Sequence, residues 1–497
     1  MTLSKKVNYL VAGAVTALLG SAAALAAGPT GIPPASQVFY FGGGSAEPQA
    51  VAVATCALMN NVDSYSSAGV GNLDPNYLIL YGNLKGNVGT LTAGTPVAIM
   101  YKFNGGSLTN GGVPQSAGGQ TLAYPTLASV GFAGGSGNYC TPGNGVPTVG
   151  TGTFATTNSN VPAFGLTDLE VTAFGGINNP NPGALPVVGA HTGIYDLVFG
   201  IAVTPQVFAE KQNFSYAEVA GILSGIYQNW NQLYGDQGAF ANQPLPAGDI
   251  VLLDRNVGSG HKASSSAEFL GYPQLGTAAT LPASVAFGQY QGGADGLGTP
   301  PVSCTAEYQD VMESKAAGTV ADLKKAGGTA AGDCNQRAIA ILSMDNPPGI
   351  AANQEVAGTN SYDFVALDGV WVDAHTAGDD ENSSASTSYD NVVKGTYRWF
   401  YQANFNTRSS GYLTSGSNDA LLAAQYLAQF KSATFPGCTG NPGLAFPGNT
   451  PGVVRDLDSA SSLSACVTTT SRNGNSDTPL FPFKTVPGSI TLGRDPL

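Results

Sequence analysis

Short runs of apolar residues alternate along the chain with segments of helical period. Val38-Phe39-Tyr40-Phe41 runs into Gly42-Gly43-Gly44, the pattern of a strand entering a tight loop. Val198-Phe199-Gly200-Ile201-Ala202-Val203, Ile250-Val251-Leu252-Leu253 and Ala338-Ile339-Ala340-Ile341-Leu342 are apolar at successive positions, as in strands buried on both faces. Between them, Ser215-Tyr216-Ala217-Glu218 has the spacing of a capping box, with Ser215 as N-cap and Glu218 reaching back. Val219, Ile222, Leu223 and Ile226 then fall on one helical face. Ser417-Asn418-Asp419 opens a second helix, in which Leu422, Tyr426, Leu427 and Phe430 keep the same spacing. Residues 305–325 are predicted as a third. Buried strands alternating with amphipathic helices predict an α/β protein with mainly parallel sheets. Three stretches, 105–147, 271–300 and 435–477, are rich in Gly, Pro, Ser and Thr without periodicity and read as surface insertions.

Composition narrows the class. With 43% hydrophobic residues in 497, the chain can fill sizeable cores, which excludes global disorder. The length corresponds to about two to three domains. Lys and Arg number 19 against 32 Asp and Glu, a net charge of −13, so there is no basic field to attract nucleic acid or an anionic membrane.

The amino terminus reads as an address. Lys5 and Lys6 precede an apolar stretch from Tyr9 to about Ala27 that ends in Ala24-Leu25-Ala26, the small-x-small pattern of a signal peptide over residues 1–27. A membrane anchor is the alternative, but the stretch is Ala- and Gly-rich and Gly28-Pro29 follows directly. An exported chain places its six cysteines in an oxidising compartment. Six cysteines allow fifteen pairings. The sequential one, Cys56–Cys140, Cys304–Cys334 and Cys438–Cys466, is expected because each pair brackets a Gly-rich insertion. No CxxC or Cys/His cluster has metal-ligand spacing, so neither a metal nor another cofactor is expected.

One segment carries chemistry by itself. Asp254-Arg255-Asn256-Val257-Gly258-Ser259-Gly260-His261-Lys262 follows a buried strand and precedes helix-forming residues. Gly258 and Gly260 let backbone N–H groups converge on an anion, a helix N-terminus adds positive potential, and Arg255 can fork to an oxyanion. A Gly-Ser turn with a surface arginine fits the segment equally well. Upstream, Gly225, Trp230 and Leu245-Pro246 form an ordered series with Arg255 and Gly258-Ser259-Gly260. That series resembles the phosphate-binding protein family of phosphate ABC importers, within the class II periplasmic binding proteins. Two more segments are similar to the family's anion loops. Phe41-Gly42-Gly43-Gly44-Ser45-Ala46-Glu47-Pro48 resembles its first loop, and Phe164-Gly165-Leu166-Thr167-Asp168 resembles its "F-G-x-S-D" loop. The Tyr101–Ser107 segment resembles its serine loop more loosely.

The resemblance implies a two-lobed class II periplasmic binding protein fold, each lobe a mainly parallel sheet flanked by helices. Residues 28–196 and 396–497 would form lobe one, and 197–395 lobe two. It implies a ligand set of Ser45, Ala46, Glu47, Ser107, Asp168, Arg255, Ser259, Gly260 and His261, with Asp168 accepting a proton that sulfate lacks. The implied ligand is phosphate, an organic phosphate or another oxyanion. The chain would act as a periplasmic monomer serving an inner-membrane ABC permease, or as a secreted or cell-surface protein. Departures from the family pattern change the site. Ala46 lacks the loop-one hydroxyl, Glu47 stands for an aromatic residue and is unfavourable beside an anion unless its side chain points away, and His261 replaces a threonine. His261 is expected to donate to the ligand when protonated. Val257 stands where the family often has an aspartate beside its arginine. No nucleophile elbow, paired His/Asp motif or HExxH marks an enzyme. A secreted surface or matrix protein with a lost or repurposed pocket is the competing function, favoured by the long uncharged insertions.

Overall fold

The computed structural model describes residues 32–66, 72–73, 76–104, 106–112, 121–127, 133–134, 140, 148–149, 157–169, 174, 190–270, 302–304, 308–313, 316–344, 346, 362–371, 397–408, 411–432 and four short strands beyond 452. The expected leader (1–27), the Cys438–Cys466 pair and most of the three insertions lie outside the described residues. In chain order the main elements are β1 (Gln37–Gly42), α1 (Pro48–Leu58), β2 (Met59–Ser66), β3 (Tyr77–Leu84), β4 (Pro96–Lys102), α2 (Ser107–Gly111), β5 (Phe164–Thr167) and β6 (Ala190–Val203). There follow α3 (Tyr216–Leu223), β7 (Val251–Arg255), α4 (Gly260–Leu270), β8 (Gln309–Glu313), α5 (Ala316–Gly327), β9 (Ala338–Ser343), β10 (Phe400–Thr407) and α6 (Asn418–Phe430).

The fold is mixed α/β, and these strands form one hydrogen-bonded sheet in the order β8-β7-β9-β6-β10-β5-β1-β4-β3-β2. Two triplets within it are parallel: β8, β7 and β9 at one end, and β5, β1 and β4 further along. Between them, β6 and β10 run antiparallel to each other and to their outer neighbours. β6 changes partner along its length. Ala190–Val198 pairs with β10, and Phe199–Val203 pairs with β9. The apolar run 198–203 is buried, as its sequence predicts, but it is antiparallel to both neighbours. Burial on both faces fixes a strand's composition and leaves its direction open.

The caps form as read. Ser215 N–H donates to Glu218 Oε2 (2.8 Å) and Glu218 N–H donates to Ser215 Oγ (3.2 Å). Ser417 Oγ accepts from Ala420 N–H (3.2 Å), and Leu422, Tyr426 and Phe430 of α6 are buried. The Phe41, Phe164 and Phe405 rings stack at 4.0 and 4.4 Å across β1, β5 and β10, with Tyr426 and Phe430 of α6 against the column. Trp230 is a core residue, 1% exposed.

Two elements differ from expectation. Residues 305–325 contain β8 and most of α5 rather than one helix. β8 reads Gln-Asp-Val-Met-Glu with Gln309, Asp310 and Glu313 buried, so it lacks the apolar run that marks a strand. The Gln309 side chain is held by the Ser303 backbone, accepting at 2.9 Å and donating at 2.8 Å. Ile226 is 69% exposed, because α3 stops at Leu223 and Gly225 turns the chain at φ +70°. The Cys56–Cys140 and Cys304–Cys334 bridges are formed. Among the described residues no helix is long and apolar enough to cross a membrane.

Candidate functional site

A parallel strand followed by a helix leaves its carboxyl end open, and ligand sites of α/β sheets gather at such ends. Here the ends of both triplets meet. β1 leads into loop 43–47 and α1, β4 into Ser107 at the start of α2, and β5 into Asp168. β7 ends at Arg255 and passes through 256–259 into α4, while β8 ends at Glu313 and β9 at Ser343. Segments far apart in sequence touch there. Leu108 N–H donates to the Gly258 carbonyl (2.9 Å), and Arg255 Nη2 donates a long bond to Ser45 Oγ (3.4 Å). Gly106, at φ +101°, brings its α-carbon against the Gly258 carbonyl, where a side chain would collide.

Asp168 is the centre of the cluster and is 1% exposed. Its N–H donates to Ser107 Oγ (2.8 Å), and its carboxylate receives the Ser107 hydroxyl and the Gly260 N–H at the first turn of α4. A Cβ at Gly260 or Gly44 would land on this carboxylate, so both positions need glycine for close approach. Burial pushes the Asp168 carboxyl above the ordinary carboxylate range, against the opposing pull of the Glu47 hydrogen bond, Arg255, Ser107 and Gly260. Glu47 is completely buried beside it, so its side chain does not point away from the site. The Tyr101 hydroxyl donates to the Gly44 carbonyl (2.8 Å) and to Glu47 Oε2 (3.1 Å), which turns the glutamate inward.

Arg255, 1% exposed, is anchored by Nε donating to the Glu313 carbonyl (3.1 Å) and by Nη1 against His261 Nδ1 (3.1 Å). A guanidinium only donates, so Nδ1 accepts and the imidazole carries its hydrogen on Nε2, which donates to Ser343 Oγ (2.9 Å). Burial, and then the Arg255 charge, hold the His261 pKa well below the usual histidine value. The expected protonated donor is therefore a neutral ring with both nitrogens engaged inside the protein. Ala46 packs its methyl in the core, leaving only its backbone for a ligand. Ser259 Oγ is buried at the mouth of α4 and has no hydrogen-bond partner among the described residues.

No family model matches the chain, and no curated protein matches it. Solved structures similar to it include one described as a phosphate ABC transporter substrate-binding protein with bound phosphate from Clostridium perfringens. That pair shares 16% identity over 47% of this chain and 64% of the other, with TM-score 0.25, so the chain spans under two thirds of that protein. Another is a phosphate binding protein from Stenotrophomonas maltophilia (15% identity, 58% and 74% covered, TM-score 0.27). A third is a human phosphate binding apolipoprotein (15% identity, 49% and 72% covered, TM-score 0.25). At such low overlap, the site stands on its own geometry.

Of the expected set, Ser45, Glu47, Ser107, Asp168, Arg255, Gly260 and His261 are linked by the contacts above, and Ser259 lies between Gly258 and Gly260 of the same loop. Glu313 and Ser343 also belong to the cluster and were not expected, and Tyr101 joins them from the loosely matched serine-loop segment. Ser343 directly follows the apolar run 338–342, so a rule placing strand carboxyl ends at the site finds it, whereas β8 offers no such run to mark Glu313. The buried Lys262–Asp254 ion pair (2.5 Å) fastens α4 to β7 behind the loop.

Proposed function

We propose that the protein is an exported solute-binding protein that captures phosphate or a related oxyanion between two lobes. Lobe one is residues 28–196 with 396–497, carrying the β5-β1-β4 triplet. Lobe two is residues 197–395, carrying β8-β7-β9, and β6 and β10 form the crossover. The carrying observation is the meeting of the strand-end loops around the buried Ser259 hydroxyl, which has no partner among the described residues, within one cluster with Arg255, Asp168 and the α4 N-terminus. A buried hydroxyl without a partner costs about 1–3 kcal/mol, which a ligand oxygen accepting from it would recover. Helix N-terminal N–H groups and Arg255 supply the opposing charge. Asp168 selects an oxyanion that brings a proton. The resemblance of three loops to the phosphate-binding family supports the same ligand, periplasmic export and delivery to an ABC permease, by a binding protein rather than an enzyme.

The competing role, a surface or matrix protein with a repurposed pocket, is favoured by one observation: Asp168 itself takes the Gly260 N–H at the head of α4. Calorimetric titration of ligand-stripped protein with phosphate, and sulfate as control, separates the two. The capture role requires heat from phosphate alone. Silence with both ions would favour the competing role.

A further inference from the structure

Glu47 and Asp168 approach one another from the two strands of lobe one that flank the site, β1 and β5. Asp168 Oδ1 and Glu47 Oε2 both lie where a Cβ on Gly44 would stand, 2.1 and 2.8 Å from that point, so the two buried carboxyl groups sit side by side, close enough to share a hydrogen bond. A carboxylate only accepts, so a hydrogen bond between two carboxyl groups requires a proton on one of them. Among the described residues, none donates an N–H or O–H to Asp168 Oδ1. The Tyr101 hydrogen is divided between the Gly44 carbonyl and Glu47 Oε2. Among the described residues, charged or titratable groups facing the pair include Tyr195 of β6, through Tyr101, and Arg255 of β7; Ser107 of α2 and the Gly260 N–H of α4 donate to it.

We propose that Glu47 and Asp168 form a proton-sharing carboxyl pair that restricts the site to the dihydrogen form of its phosphate ligand. This rests on the phosphate-capture function above and names the ionic form captured. With one proton between them the pair carries one negative charge, balanced by Arg255. Hydrogen phosphate would add two further negative charges beside it. Dihydrogen phosphate adds one, and its hydroxyls can donate to the pair, where Asp168 Oδ1 meets no donor among the described residues. In balance, capture from a solution of hydrogen phosphate takes one proton from water for each ion bound, and that proton resides on a phosphate oxygen. Sulfate has no such hydroxyl and is excluded twice, by Asp168 and by Glu47.

The test is calorimetric titration of the full chain with inorganic phosphate at several values over roughly pH 5 to 8, in buffers of differing ionisation enthalpy. The wild type is expected to lose affinity about tenfold per pH unit above the second pKa of phosphate, and to take up about one proton per ion. Glu47→Gln, whose amide can donate to Asp168 without a shared proton, is expected to flatten that profile and to bind about tenfold tighter than wild type at the alkaline end. The buffer dependence of the wild-type heat reads the proton directly, so the outcome does not depend on the variant folding. Phosphate affinity independent of pH, with no proton uptake, would overturn the carboxyl pair and leave phosphate capture standing. No heat from phosphate at any pH would overturn both.

Discussion

Replacing Arg255 by methionine removes the guanidinium that ties β7 to β8, to His261 and to loop one, while keeping a side chain of similar reach. The arginine is 1% exposed and makes two bonds at 3.1 Å, to the Glu313 carbonyl and His261 Nδ1, and a longer one to Ser45. A hydrogen bond from a charged donor contributes about 1.5–3 kcal/mol, so the two shorter bonds account for roughly 3–6 kcal/mol. Relief from burying a charge offsets part of this, which leaves a net loss of about 2–4 kcal/mol. Denaturant titration of both proteins at neutral pH measures it. Repeating the titration with phosphate at a hundred times its Kd should stabilise the wild type by about 2.7 kcal/mol and the variant hardly at all. A loss below about 1 kcal/mol would show that the bonds do not hold the fold together. A variant that kept the full phosphate increment would show that Arg255 does not hold the anion.

Other substitutions probe the same cluster independently. Gly260→Ala places a methyl group on the Asp168 carboxylate and should cost about 1–3 kcal/mol by thermal or chemical unfolding, with weakened phosphate binding. Tyr101→Phe leaves the Gly44 carbonyl and Glu47 short of a donor and should cost about 1–3 kcal/mol by the same measurement. His261 is held neutral, so the unfolded chain binds the extra proton. Its contribution is complete above the ordinary histidine value of 6.5 and is lost as pH falls below it. His261→Gln should therefore remove part of the acid destabilisation seen between neutral pH and about pH 5, measured as stability against pH in both proteins. Replacing Cys304 and Cys334 together by serine opens a 30-residue loop and should cost about 3–4 kcal/mol by denaturant titration.

Much of the frame was legible in the sequence because it rests on local rules. The caps at Ser215 and Ser417 need only side chains at fixed spacing, and the apolar runs at 250–253 and 338–342 mark buried strands wherever they occur. β8 was not legible, since its burial depends on partners elsewhere that make Gln309 and Glu313 tolerable inside. The site divided along the same line. The Arg255–His261 loop announces an anion cradle through its glycines and the helix behind it. The orientation of Glu47 depends on Tyr101, 54 positions away, and the Nε2 of His261 finds its partner in Ser343, 82 positions away. Neither spacing carries a local signal. Glu47 shows the consequence most clearly: by residue type it belongs outside an anion site, and only a second carboxyl group with a shared proton gives it a place within.

A crystal structure of the mature protein saturated with phosphate tests the central claim most directly. The ion should lie between the two parallel triplets, within hydrogen-bond distance of Ser259 Oγ, the Arg255 guanidinium and the Asp168 carboxyl group. Phosphate bound elsewhere, with Ser259 still unpartnered and Asp168 still on the Gly260 N–H, would contradict it.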